Sequence, residues 1–177
     1  TGSAHDDLLT GNNGDNLISG GDGNDTVHAG VGFDTVSGGG GHDTLNGNNG
    51  GDTLNGGSGN DAISGGPGND ALSGGDDDDV LDGGTGNDSI NGGNGIDTAS
   101  YALAPGPVIV SLILQGSSQN TFSAGSDLLN AIENLTGSDF SDSLSGNGLA
   151  NVLIGGIGND VLSGLGGNDT LWGGVFD

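Results

Sequence analysis

Along most of the chain a single aliphatic residue returns every nine positions. From Gly2 to Ser100 it stands at Leu9, Ile18, Val27, Val36, Leu45, Leu54, Ile63, Leu72, Leu81, Ile90 and Ala99, with Gly, Asn, Asp, Ser and Thr filling most of the space between. A period of nine fits neither an amphipathic helix nor one long alternating strand. It marks a short structural unit repeated in tandem, here eleven times without insertion. A typical unit is Gly65-Gly66-Pro67-Gly68-Asn69-Asp70-Ala71-Leu72-Ser73. A second block from Gly137 to Trp172 adds four units, with Leu144, Leu153, Leu162 and Leu171 at the same place. The segment between the blocks, Tyr101 to Thr136, is 36 residues long, four times nine, so phase is kept across it. The chain divides accordingly into a first block (1–100), a linking segment (101–136) and a second block (137–177). Both blocks open alike, Thr1-Gly2-Ser3 and Thr136-Gly137-Ser138, and the last unit stops after five residues, Gly173 to Asp177. The sequence therefore reads as a piece of a longer array.

Each unit predicts two kinds of local structure. Its first six residues are turn-forming, because Gly reaches positive φ and the Asn common at position five (Asn24, Asn60, Asn69, Asn87, Asn159, Asn168) also tolerates the left-handed region. Its last three residues form a short strand with the aliphatic side chain at position eight turned inward. Two units then make one turn of an all-β coil, and units 18 residues apart stack as neighbouring parallel strands. In the linking segment Val108, Val110 and Leu112 alternate with Ile109 and Ser111, and Ile132 and Leu135 resume the apolar pattern. This segment is expected to continue the coil and cover its core without taking part in ion binding by the regular column of acidic residues.

Composition sharpens the picture. Lys and Arg are absent against 24 acidic residues, giving a formal charge of −24, so no Lys or Arg ion pair can form. Nucleic-acid binding depends on cationic side chains and is excluded as a working function, and anionic membranes are disfavoured for the same reason. The apolar stretch Val108–Leu114 is too short for a membrane helix. With 43 Gly and only 30% hydrophobic residues, the composition by itself reads as disordered. One aliphatic side chain per nine residues is a thin core to set against the entropy of ordering Gly-rich loops. There is no Cys, hence neither a disulfide framework nor a thiolate metal site.

The missing stabilisation points to position six. It holds Asp7, Asn16, Asp25, Asp34, Asp43, Asp52, Asp61, Asp70, Asp79, Asp88 and Asp97 in the first block, and Asp142, Asn151, Asp160 and Asp169 in the second. Stacking lines these up in two columns, and bare carboxylates at about 4 Å repel by roughly 4 kcal/mol per pair at an effective dielectric near 20. A hard divalent cation between them reverses the sign. Calcium accepts six to eight oxygens in flexible geometry, and backbone carbonyls of glycine loops supply more of them. The candidate carbonyl ligands are Gly20, Gly38, Gly56, Gly65, Gly74, Gly83 and Gly155 at position one, Gly21, Gly39, Gly57, Gly66, Gly75, Gly84 and Gly156 at position two, and Gly23, Gly41, Gly59, Gly68, Gly86 and Gly158 at position four. Zinc would call for His or Cys, and magnesium holds its waters in stricter octahedra. Multiple calcium ions fit best, with same-side pairs such as Asp25/Asp43 and Asp70/Asp88 flanking each one.

Units such as Gly20-Gly21-Asp22-Gly23-Asn24-Asp25-Thr26-Val27-His28 resemble RTX (hemolysin-type) calcium-binding nonapeptide repeats. The resemblance extends to the linking segment, in Asp97-Thr98-Ala99-Ser100-Tyr101, Ser126-Asp127-Leu128-Leu129 and Ile132-Glu133-Asn134-Leu135-Thr136. It implies a right-handed parallel β-roll with calcium in the loops. It also implies secretion by a Gram-negative bacterium through a one-step (type I) exporter, and folding outside the cell as part of a larger protein. The alternative within the same resemblance is a rigid spacer in a calcium-dependent surface adhesin or surface-layer protein. Several units depart from the pattern: Asn16 and Asn151 are neutral, His5, Phe140 and Leu149 replace Gly at position four, and Ala29 replaces Gly at position one. These departures put the sites at the start of each block in doubt.

Other chemistry is poorly supported. His5 and His42 fall in turns and His28 on an outward strand position. No Gly-x-Ser-x-Gly elbow occurs and a Walker sequence is impossible without Lys, so the chain is read as a non-enzyme. Thr26, Thr35, Thr44 and Thr53 alternate between opposite sides and make no flat ice-binding array. The run Asp76–Asp79 reads as a loop with Asp77 at a Gly position and excess solvated charge, and Glu133, the sole Glu, as a solvated or turn-capping group.

Overall fold

The computed structural model describes residues 1–174; the final three residues of the partial unit begun at Gly173 lie outside the described residues. In the first block the strands are β1 (Leu8–Thr10), β2 (Leu17–Asp22), β3 (Thr26–Val31), β4 (Thr35–Gly40), β5 (Thr44–Asn49) and β6 (Thr53–Ser58). They continue with β7 (Ala62–Pro67), β8 (Ala71–Asp76), β9 (Val80–Thr85), β10 (Ser89–Asn94) and β11 (Thr98–Ser100). The linking segment contributes β12 (Ile109–Ser111), a 3-10 turn (Leu112–Leu114), β13 (Ser118–Asn120), β14 (Ser126–Asn130) and β15 (Asn134–Thr136). The second block adds β16 (Ser143–Ser145), β17 (Val152–Ile154), β18 (Val161–Ser163) and β19 (Thr170–Trp172).

Within the two repeat blocks successive strands go to opposite walls. One wall is ordered β1-β3-β5-β7-β9-β11-β15-β17-β19, and the other is β2-β4-β6-β8-β10-β14-β13 followed by β12-β16-β18. Within the first block each strand pairs in parallel with the strand 18 residues away, as in Leu45↔Ile63 and Leu54↔Leu72. The chain is a parallel β-roll. Its core is the row of position-eight side chains facing one another across the two walls, with Val27, Leu45, Leu81 and Ile90 fully buried.

The strands are longer than the three residues that the nonapeptide pattern predicts. In β2–β10 they run through positions seven to nine and on into positions one to three of the next unit. The turn is thereby reduced to positions four to six. The register explains how: Ser19↔Ser37 is followed by Gly21↔Gly39, with Gly20 and Gly38 left out of the ladder. Position two takes φ near +120° at Gly21, Gly39 and Gly75, a conformation that swings the chain while the ladder resumes. Asn48 and Leu165 adopt positive φ at that position without being glycine, and Asp77 does so at position four. None of the position-five Asn residues is left-handed, contrary to the expectation from their type.

The linking segment joins the walls asymmetrically. On one wall β15 follows β11 with Ala99↔Leu135, an offset of 36. On the other, β14 follows β10 with Ile90↔Leu129, an offset of 39. The turn between β14 and β15 is therefore short by three residues, and Ala131 at φ 47° absorbs the bend. The second wall also takes in two extra strands, since β13 runs antiparallel to β14 and β12 lies between β13 and β16. The only two glutamines of the chain act there as substitute peptide groups. Gln119 accepts from Ser111 N (2.8 Å) and donates to Ser111 O (3.2 Å), while Gln115 accepts from Ile132 N (3.0 Å) and donates to Ile132 O (2.7 Å).

The thin core makes each position-eight side chain count. Leu54→Ala, at a site 1% exposed, should lower the unfolding free energy in saturating calcium by about 2–5 kcal/mol, as large-to-small core changes do. Leu103→Ala, at a site 81% exposed, should change it by no more than about 0.5 kcal/mol. Urea unfolding followed by circular dichroism separates the two; equal effects would show that the row of aliphatics is not the core.

Candidate metal centre

Position six is where the turn meets the next strand, and there the two oxygens of each Asp have different surroundings. One oxygen holds the stack together. The backbone N–H of Asp25 donates to Asp43 Oδ1, that of Asp43 to Asp61, that of Asp61 to Asp79 and that of Asp79 to Asp97, at 2.7–2.9 Å. The other wall repeats this from Asp34 through Asp52 and Asp70 to Asp88, again at 2.7–2.9 Å. Each carboxylate thus accepts from the peptide one full turn before it, and the column is continuous.

The second oxygen has no such partner. Oδ2 of Asp25, Asp34, Asp43, Asp52, Asp61, Asp70, Asp79, Asp88, Asp97 and Asp160 is buried without a hydrogen-bond donor. Buried carboxylate oxygens are ordinarily satisfied, and leaving one bare costs on the order of several kcal/mol. Ten among the described residues demand a counter-charge. The chain has no Lys or Arg to give one.

The space beside each bare oxygen is a cradle of further oxygens. A Cβ added at Gly38 would collide with Asp43 Oδ2 and come within 2.7 Å of the Gly56 carbonyl oxygen; at Gly65 it would meet Asp70 Oδ2 and the Gly83 carbonyl at 2.7 Å. Gly20, Gly56, Gly74, Gly83 and Gly155 face the Oδ2 of their own units in the same way. The position-two and position-four glycines stack closely on the turn before. A Cβ at Gly39, Gly57, Gly66, Gly75, Gly84 or Gly156 would strike the carbonyl 18 residues earlier, and so would one at Gly41, Gly59, Gly68 or Gly86. At Gly21 and Gly23 the neighbours are Ser3 and His5, and at Gly158 the neighbour is Phe140. Among the described residues no three His, Asp or Glu side chains converge on one point. A cation here would be held by one or two carboxylates and a majority of carbonyls, an all-oxygen shell suited to calcium.

The block starts differ. Asp7 Oδ2 accepts from Ser3 N (2.6 Å) and Ser3 Oγ (2.9 Å), and Asp142 Oδ2 accepts from Ser138 N (2.5 Å) and Ser138 Oγ (3.0 Å). Asn151 donates Nδ2 to the Glu133 carbonyl at 2.7 Å, and Asn16 donates Nδ2 to Asp34 Oδ1 at 2.9 Å. Protein groups satisfy these four residues. Ala29 brings a buried Cβ to position one of the unit carrying Asp34.

Two features lay beyond the reach of the sequence pattern. The first is an outer ladder at position five running in the opposite sense. Asn24 Oδ1 accepts from His42 N (2.7 Å), His42 Nδ1 from Asn60 N (2.8 Å), and Asn69 Oδ1 from Asn87 N (2.8 Å). Asn recurs there because it is a short acceptor, and His42 is a rung of this ladder. In the acidic run, Asp78 belongs to the same ladder through Ile96 N (2.8 Å), Asp79 to the inner column, and Asp76 to Asn94 Nδ2 (2.8 Å). The second is Glu133, which takes the inner column's place by accepting from Asp97 N at 2.9 Å. Its spacing of 36 from Asp97 was the available signal.

Burial, reinforced by neighbouring carboxylates in the column, pushes Asp61 and Asp70 up to about 6 and Asp79 and Asp88 up to about 7. Asp43, Asp52 and Asp97 move in the same direction for the same reasons. The ionised column is costly to bury, and a cation or a proton relieves it.

Comparison with known families agrees with this geometry. The model of the RTX calcium-binding nonapeptide repeat matches residues 1–36, 28–63, 37–72, 64–99 and 145–177. Among curated proteins, none matches the sequence significantly. Repeats of this kind bind calcium, several ions to a β-roll. Matches that span most of both blocks, on a parallel roll lined with bare carboxylate oxygens, show that the chain belongs to the RTX calcium-binding nonapeptide repeat family.

Proposed function

We propose that this chain is a calcium-driven folding module of a larger secreted protein, unfolded where calcium is scarce and rigid where it is abundant. The observation that carries the reading is the set of ten buried Asp Oδ2 atoms without a donor in a chain devoid of Lys and Arg. The residues that would hold the ions are Asp25, Asp43, Asp61, Asp79 and Asp97 on one wall and Asp34, Asp52, Asp70 and Asp88 on the other, with Asp160 in the second block. The carbonyls of the position-one glycines and of the stacked loop glycines would complete the shells. Bound calcium would supply the positive charge that these buried carboxylates lack, with the chain's oxygens as its ligands.

The chain's own part is geometric. Each Asp amide bonded to the next Oδ1 fixes the carboxylate so that Oδ2 faces the cradle, and glycine at position one leaves that cradle open in every unit but that of Asp34, where Ala29 stands. Without a cation, self-repulsion and loop entropy oppose folding. With it, binding free energy becomes folding free energy. An extracellular setting agrees with this, since modules of this type bind at about 10⁻⁴–10⁻³ M calcium.

Titrating calcium into the EDTA-treated chain should produce β-structure by circular dichroism and a fall in hydrodynamic radius together, more steeply than independent sites allow, because adjacent turns share rungs. A chain compact and β-rich in EDTA would refute the proposal.

Asp61→Ala should move the midpoint several-fold to higher calcium. The Asp61 side chain accepts from Asp43 N and carries one of the bare Oδ2 atoms, so Ala removes that rung and an anionic ligand together, while the backbone N–H to Asp79 remains. Val161→Ala, at an exposed position in the second block, is the control and should leave the midpoint in place.

Acid should act as a competitor. Because the folded-state values of Asp61, Asp70, Asp79 and Asp88 lie near 6–7 against 3.8 for the free group, the metal-free roll binds more protons than the unfolded chain between about pH 4 and 7. That contribution to its stability is complete below about pH 4 and is lost as pH rises through 6–7. Protons and calcium then compete for the same oxygens of the folded roll, so the number of ions bound per chain at fixed calcium, read by equilibrium dialysis, should fall as pH drops from 8 to 5.5, and binding independent of pH would contradict the buried-carboxylate account.

A further inference from the structure

The column of bare oxygens stops at the linking segment, and protein groups end it. Asp127, on β14, occupies the step after Asp88 and is 1% exposed. Its Oδ1 continues the ladder by accepting from Asp88 N at 3.1 Å. Its Oδ2 is not bare. Tyr101 Oη donates to it at 3.2 Å and Thr121 Oγ1 lies 3.0 Å away. The Thr121 hydroxyl is also 3.1 Å from the Gly125 carbonyl, and its single proton favours the charged acceptor. Both donors are buried, Tyr101 from the first residue of the segment and Thr121 from the strand hairpin that returns to it.

Every first-block member of this column from Asp34 onward leaves Oδ2 without a donor, whereas Asp127 has three protein donors for its two oxygens. A buried carboxylate needs either a cation or such a set of hydrogen bonds. Its place in the column is that of a cation ligand; its contacts say the reverse.

We infer that the linking segment is a metal-free stopper, in which the hydroxyls of Tyr101 and Thr121 replace a cation at Asp127 and end the cation run on that wall. The inference rests on the calcium reading of the column. It follows that ions in the first block are not shared across the segment with the rung at Asp160, and that the roll passes from one block to the other on hydrogen bonds and the continuous apolar core, without bridging cations. Glu133 and Asn151 serve the same purpose on the opposite wall, where Glu133 accepts from Asp97 N and Asn151 donates to the Glu133 carbonyl.

The test compares Asp127→Asn with Asp70→Asn. The amide introduced by Asp127→Asn keeps an oxygen for the Asp88 N–H and turns its NH₂ to two hydroxyl oxygens able to accept. This variant should bind as many calcium ions per chain as the wild type by equilibrium dialysis, with its folding midpoint within about twofold. Asp70→Asn should lose at least one ion and require several-fold more calcium. Loss of an ion in Asp127→Asn would overturn the inference. Should that variant not fold, a wild-type crystal grown in calcium decides by anomalous scattering. Ions beside Asp52 and Asp70 with none within about 2.6 Å of Asp127 Oδ2 would support the stopper. An ion on Asp127 with Tyr101 displaced would overturn it. A wild-type chain that bound no calcium anywhere would instead refute the calcium reading beneath it.

Discussion

A carboxylate with one oxygen tied to the neighbouring turn and the other buried without a donor is the interaction on which this roll turns. The first oxygen makes the stack: it fixes the 18-residue register by accepting the amide of the preceding turn. The second makes the stack conditional, because its charge has no answer within the chain. Hydrogen bonding and electrostatics therefore pull in opposite directions at the same residue. Removing the carboxylate would relieve the charge and lose the register at once, whereas an external cation satisfies both demands at neutral pH.

The rest of the architecture serves that residue. Position one is glycine in every unit with a bare Oδ2 except that of Asp34, because the carboxylate oxygen occupies the place of a Cβ. Position two takes positive φ so that the strand can pass the cradle and resume pairing. Position eight supplies the narrow apolar row between the two walls. The outer ladder at position five, with the opposite hydrogen-bond direction, braces the loops from the solvent side. Where the demand for a cation ends, as at Asp127, Asp142 and Asp7, hydroxyls and amides from the chain take over.

Much of this was legible in the sequence, and the reason is periodicity. A nine-residue repeat fixes which residues stack, so the aliphatic row and the Asp columns follow from spacing alone. The preserved 36-residue phase placed Leu135 beside Ala99. What periodicity could not supply was anything that depends on a side chain's direction. Asn at position five reads as a turn former by type, yet it serves as an acceptor. Strands extended past three residues because glycine at position two tolerates ladder pairing as well as turning. The three-residue slip at β14, and the two glutamines that pair with the peptide groups of Ser111 and Ile132, belong to a segment without repeats, where one sequence offers no second copy to compare.

The central claim is that the inner ladder exists only while cations neutralise it. Amide hydrogen exchange at the position-six residues measures this directly, since the N–H groups of Asp25, Asp43, Asp52, Asp61 and Asp70 are the donors of the column. In millimolar calcium these amides should rank among the most protected in the chain, and in EDTA they should exchange at the rate of an unfolded peptide. Equal protection in both conditions would mean that the carboxylate stack holds without cations, and would contradict the account.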